Sequence, residues 1–190
     1  QLGYDDGIFL GDEDGDIIEG NNLKNFWDCG IETQGFISNT QIIGNTISNA
    51  GLCGIGGWYW NSWKSNTVAN NHIDTSGTAF RFERNYGLLP DDTYVYFKNN
   101  IFRDNVFTNL NAAPSSFSSQ FTMDQQLGLV RSSNGNERRI MSSDFVTGNN
   151  QFTNNDFGRI QTAPFFAPSS MIVDGGGNKC GATGSQNYPL

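Results

Sequence analysis

Asn45-Thr46-Ile47-Ser48-Asn49-Ala50-Gly51-Leu52-Cys53-Gly54-Ile55 holds two phrases that recur along the chain. The first is an Asn that follows a small residue, often Gly, and precedes an aliphatic or aromatic residue by two positions. It reads Asn21-Asn22-Leu23, Asn45-Thr46-Ile47, Asn71-His72-Ile73 and Asn100-Ile101-Phe102, with a fainter copy at Asn150-Gln151-Phe152, and its first four copies step by 24, 26 and 29 residues. The second reads Gly7-Ile8, Gly30-Ile31, Gly54-Ile55 and, more loosely, Ala79-Phe80, stepping by 23, 24 and 25. Two phrases that keep step over four turns predict a solenoid, whose repeats are each too small to bury an apolar face alone and therefore stack.

The composition agrees. The 190 residues suit one domain, and only 16% are charged, so the polar fraction rests on Asn, Ser, Thr, Gln and 23 Gly, which favour turns over helix interiors. No segment shows a sustained 3.6-residue apolar stripe, and the Leu-x-x-Leu-x-Leu run of leucine-rich repeats does not precede the Asn phrases. Short strands separated by Asn, Gly and Asp turns remain. A net charge of −8 excludes a nucleic-acid partner, whose affinity comes from clustered Lys and Arg; neutral sugars, cationic ligands or calcium fit better. No apolar run approaches the ~20 residues that span a bilayer, so no membrane insertion is expected. The start at Gln1 reads as a mature or trimmed product, or as a fragment. The Asn residues form no Asn-x-Ser/Thr sequon, which points to a structural role for them.

With these phrases in place, the chain resembles the right-handed parallel β-helix of pectin-lyase-like proteins over residues 3 to about 110. The resemblance implies an all-β solenoid with coils of about 23–29 residues, and stacked Asn ladders at Asn21, Asn45, Asn71 and Asn100 that satisfy buried amides. Residues 1–110 are expected as regular coils, 111–143 as a long loop or insertion, 144–161 as a further coil and 162–190 as a C-terminal cover. An open solenoid end exposes strand edges, so a cap or self-association is expected there. Cys29 and Cys53 each precede a Gly-Ile pair in consecutive repeats, within disulfide reach across adjacent strands; they form either a disulfide or a stack of two buried thiols. Cys180 has no evident partner.

If Ile8, Ile31, Ile55 and Phe80 face inward, the residues one and three further on face outward. That set is Phe9, Gly11, Glu32, Gln34, Gly56, Trp58, Arg81 and Glu83, with Asp5, Asp6, Tyr59, Trp60, Trp63 and Arg84 close by. Aromatic faces that stack on pyranose rings, beside planar polar groups that bind hydroxyls, make Trp58, Tyr59, Trp60, Trp63, Arg81, Glu83 and Arg84 the candidate polysaccharide-binding residues. Packing of a loop over the coil and a subunit contact are the competing readings of the Trp segment. Asp5-Asp6-Gly7-Ile8 is similar to the Asp-Asp pair of polygalacturonase-like glycoside hydrolases. That resemblance implies catalytic roles for Asp5 and Asp6, with Glu32 one coil above as the further acid, although the Gly-His-Gly and Arg-x-Lys motifs of that family are absent. Like charges at short range push carboxyl pKa values apart, so one group can serve as acid and another as base. Asp12-Glu13-Asp14-Gly15-Asp16 offers several hard oxygens, and Asp12, Asp14 and Asp16 are candidate calcium ligands against the alternative of a solvated acidic turn. No cofactor is required.

The expected function is an extracellular or cell-surface carbohydrate-active protein that binds a polysaccharide and cleaves it, as a glycoside hydrolase or a polysaccharide lyase. The competing readings are a structural or adhesive solenoid stacking head to tail, and a fragment of a larger β-helix enzyme.

Overall fold

The computed structural model describes residues 5–82, 86–87, 95–109, 121–123, 129–131, 137–139, 145–156, 165–166 and 172–179. These residues form an all-β molecule of mainly parallel sheets, an arrangement compatible with a β-solenoid. Among them there is no helix, and so none long and apolar enough to cross a membrane.

The phrase read from the sequence has a backbone cause. Gly20, Gly44, Asn70, Asp104, Asn154 and Gly177 all adopt φ between +54° and +73°, the left-handed region open to Gly and tolerated by Asn and Asp. Each turns the chain between strands, and the next residue in every case is Asn. Those residues, Asn21, Asn45, Asn71, Asn105, Asn155 and Asn178, stack into a column. Asn45 Nδ2 donates to Ile18 O at 2.9 Å and to Asn71 Oδ1 at 3.0 Å, and the Asn45 N–H donates to the same Oδ1 at 2.9 Å. Asn71, Asn105 and Asn155 repeat that pattern, so buried amides find partners that water cannot supply.

A second column runs one strand earlier through Thr40, Asn66, Asn100 and Asn150. The expectation that Asn100 continues the line of Asn21, Asn45 and Asn71 is corrected here. Asn105 occupies that place, because the rung above Asn71 is 34 residues long and the 29-residue step lands in the neighbouring column.

Between the two columns lie strands of three or four residues, and in β2, β5, β7, β11 and β17 one apolar side chain of each points inward. β2 (Ile17–Glu19), β5 (Gln41–Ile43), β7 (Thr67–Ala69), β11 (Ile101–Arg103), β17 (Asn150–Thr153) and β19 (Ile172–Asp174) form one parallel sheet in that order. Ile18, Ile42, Val68, Phe102 and Phe152 form its buried row, and Phe102 and Phe152 stack at 4.6 Å between ring centroids. Full burial of such side chains contributes roughly 1.5–3 kcal/mol each, against roughly 1–2 kcal/mol of backbone freedom lost per ordered residue.

The larger sheet contains β1 (Ile8–Gly11), β4 (Cys29–Ser38), β6 (Thr46–Lys64), β8 (His72–Phe82), β13 (Phe121–Met123) and β18 (Phe165–Phe166), with β3 (Asn22–Phe26), β10 (Val95–Lys98), β12 (Val106–Thr108) and β16 (Phe145–Gly148) joined to it. β9 (Tyr86–Gly87), β14 (Leu129–Arg131) and β15 (Glu137–Arg139) make a separate sheet in which β14 and β15 are antiparallel. The 111–143 segment thus supplies β13 to the main stack and β14 and β15 outside it. The 162–190 segment supplies β18 and β19, each of which adds a further layer to a parallel sheet.

Candidate functional site

The register of the larger sheet carries a row of residues across successive strands: Phe9 pairs with Glu32, Glu32 with Gly56, Gly56 with Arg81, and Arg81 with Thr122. The residues just before it, Ile8, Ile31, Ile55 and Phe80, stack on one another in the same way; Ile31, Ile55 and Phe80 are fully buried, and Ile8 packs against the same core. The inward and outward positions expected from the Gly-Ile phrase are therefore in register over four strands.

Glu32 departs from expectation. It stands in the outward row but is only 5% exposed, because Asp6 of the preceding rung and Gln34 of its own strand close over it. Gln34 Nε2 donates to Glu32 Oε1 at 3.1 Å. Asp6 hydrogen-bonds to Glu32, and its Oδ1 also accepts the Cys29 N–H at 3.2 Å. Burial first, then the hydrogen bond and negative charge of Asp6, push the Glu32 carboxyl up to about 8. Asp6 is raised as well, chiefly by burial, with the charge of Asp5 adding and the hydrogen bonds from Glu32 and Cys29 opposing. At neutral pH the two carboxyls hold one proton between them. Asp5 is exposed, one residue from the pair.

Directly behind this pair, Cys29 and Cys53 are joined in a disulfide with Cα atoms 4.6 Å apart, the spacing that hydrogen-bonded neighbouring strands impose. The Cys29 sulfur lies 3.4 Å from Asp28 Oδ1. Asp28 was not picked out from the sequence. A 23-residue step aligns it with Asp5, and its N–H indeed donates to Asp5 O at 2.8 Å, so the signal was present in the repeat.

The tryptophan segment divides. Thr33 pairs with Gly57 and Gly35 with Asn61, so Gln34 alone faces Trp58, Tyr59 and Trp60, which form a bulge of two extra residues in β6. Trp58 is therefore not the ladder partner of Gln34. Only the backbone of these three residues is described, as for Arg81; Glu83, Arg84 and Cys180 lie outside the described residues. Trp63 corrects the binding list. It is fully buried, stacks 6.2 Å from Phe102, and donates Nε1–H to Thr33 Oγ1 at 2.9 Å, so its indole is core and cannot meet a sugar. The chain re-enters regular register after the bulge with Trp63 opposite Ile37, an inward position.

The acidic turn is engaged locally. Asp12 Oδ1 accepts the Phe36 N–H at 2.9 Å, and Asp14 Oδ1 accepts Ser38 Oγ at 2.6 Å and Asn39 Nδ2 at 2.7 Å, which holds Asp14 below the usual carboxylate range. Asp16 hydrogen-bonds to Glu13 and raises it. Among the described residues, the one trio of ligand-type atoms within 4.8 Å of one another is Asp28, Cys29 and Glu32, not Asp12, Asp14 and Asp16.

Comparison with family models, with characterised proteins and with solved structures finds no match.

Proposed function

We propose that the chain is a right-handed parallel β-helix of the pectin-lyase-like kind that acts outside the cell on a polysaccharide, held along the Phe9, Glu32, Gly56 and Arg81 row. The observation that carries this reading is the hydrogen-bonded carboxyl pair of Asp6 and Glu32 on the outward row of the sheet, where burial and the neighbouring carboxyl push Glu32 up to about 8. A carboxyl that keeps its proton near pH 7 is the requirement for general acid catalysis of glycosidic cleavage. The Cys29–Cys53 disulfide supports an oxidising compartment. Phe9, exposed in the same row, supplies an aromatic group suited to a pyranose face.

Carboxyls in hydrogen-bond contact are closer than the about 5–5.5 Å of retaining or the about 6.5–9.5 Å of inverting enzymes. The pair therefore acts as one acid, and the water-activating carboxylate falls to exposed Asp5. The proton passes from Glu32 to half-buried Asp6 and on to the leaving oxygen, while Asp5 takes a proton from the attacking water. Release of new reducing ends from a panel of plant, algal and microbial polysaccharides tests the reading. Activity that falls at least about a hundredfold in Glu32→Gln supports it; activity unchanged in both Glu32→Gln and Asp5→Asn, or no turnover and no Trp quenching with any polymer, overturns it.

A second reading, a solenoid that stacks on further rungs, is favoured by Trp27 at 68% exposure near the start of the described coils. Concentration-dependent large species in light scattering, abolished by Trp27→Ser, would select it; a monomer at all concentrations would dismiss it.

A further inference from the structure

The disulfide, Asp28 and Glu32 lie together at the start of β4, and their grouping holds whether or not the chain acts on a polysaccharide. Asp28, Cys29 and Glu32 bring ligand-type atoms within 4.8 Å of one another, and Cys53, outside that trio, is bonded to Cys29. Two sulfurs and two carboxylate oxygens are the donor number and type of a tetrahedral zinc site, with Zn–S near ~2.3 Å and Zn–O near ~2.0–2.2 Å. While the S–S bond is intact, neither sulfur is a thiolate, and a metal finds only carboxylates there. We infer that Cys29, Cys53, Asp28 and Glu32 form a redox-gated site for zinc or a similar thiophilic divalent cation, closed in the disulfide state and open in the dithiol state. Cys29 and Cys53 are in register on β4 and β6, Asp28 is held through its N–H on Asp5 O, and Glu32 is held by Gln34 and Asp6 with a carboxyl oxygen within 4.8 Å of the Cys29 sulfur. Cys29 and Cys53 are fully buried and Asp28 is half-buried, so Asp28 forms the wall toward solvent.

The chemistry balances with a trialkylphosphine as reductant. Two electrons from phosphorus cleave the S–S bond, water gives its oxygen to the phosphine oxide, and its two protons end on the sulfurs. Zn2+ then displaces those two protons and the one held between Glu32 and Asp6, and binds the two thiolates and the two carboxylates.

The test uses the full chain carrying Cys180→Ser, so that no other thiol contributes. The reduced chain, freed of phosphine without air, is titrated with Co2+ and then Zn2+. The expected result is a near-ultraviolet thiolate-to-cobalt band with tetrahedral visible bands, bleached by Zn2+ and absent from the unreduced chain. Asp28→Asn and Glu32→Gln should each weaken Co2+ binding by roughly tenfold or more. Three results would overturn the inference: no band after reduction, a band that neither acidic variant weakens, or loss of the far-ultraviolet strand signal on reduction, since the site requires the stacked strands.

Discussion

Replacing Asn105 by Ala removes one amide from the centre of the longer Asn column, and the structure sets the cost. Its Nδ2 donates to Val68 O at 3.0 Å and to Asn155 Oδ1 at 2.9 Å, while its Oδ1 accepts the Asn71 N–H at 3.1 Å and Asn71 Nδ2 at 3.0 Å. The residue is fully buried, so water does not replace these partners. Asn155 Oδ1 keeps the Asn105 N–H, but Val68 O, the Asn71 N–H and one Asn71 Nδ2–H lose their side-chain partner. At about 1–3 kcal/mol for each orphaned buried group, with some relaxation, the loss is about 3–6 kcal/mol. In urea, the midpoint should fall by that amount divided by an unchanged m-value, whereas Gln41→Ala, on the exposed outer face of β5, should stay within about 0.5 kcal/mol. A loss below about 1 kcal/mol for Asn105→Ala would refute the view that the column carries its own weight in hydrogen bonds.

Three further outcomes follow from the same geometry. Because the folded pKa of Glu32 is raised to about 8 from an ordinary 4.5, the folded chain binds the extra proton between those values; stability is fully present below about pH 4.5 and is lost as pH rises through 8, by up to about 1.4 kcal/mol per pH unit. Glu32→Gln should flatten that slope in urea melts from pH 5 to 8, and an unaltered slope would count against the shared proton. Opening the Cys29–Cys53 link, which closes a 24-residue separation, should lower stability by about 3.5 kcal/mol on the chain-entropy estimate, read as a denaturant midpoint with and without reductant; equal midpoints would contradict it. Gly30→Ala would drive its methyl into the Ile47 side chain and within 2.9 Å of Gly54 O, and should cost about 1–3 kcal/mol in thermal melts, with an unchanged Tm as the refuting result.

The sequence revealed most where spacing alone decides position. Ile31, Ile55 and Phe80, and with them Glu32, Gly56 and Arg81, fall in register because a 24- or 25-residue step is one full rung in that part of the chain. The alignment of Cys29 with Cys53 was legible for the same reason, but not whether the sulfurs bond. Two things were hidden. Thr40 substitutes for Asn in the second column, which leaves Ser65-Asn66-Thr67-Val68 as its first Asn phrase, and Asn100 was drawn into the wrong column. The burial of Glu32 and Trp63 depends on what closes over or packs behind them, Asp6 and Gln34 for the first and Phe102 for the second, contacts that strand parity does not contain.

The Asn column also bears on how such a chain can change. Its links join residues 24, 26, 34, 50 and 23 positions apart, yet the amide-to-amide distances stay between 2.9 and 3.0 Å. Each link fastens the chain at a corner and leaves the length of the path between corners unspecified. Insertions and deletions can then accumulate on one side of a rung while its neighbours keep their stacking, as the 50-residue span from Asn105 to Asn155 shows. Mutational drift in length is separated from stability, and new surface can be added at those spans without redesigning the interior.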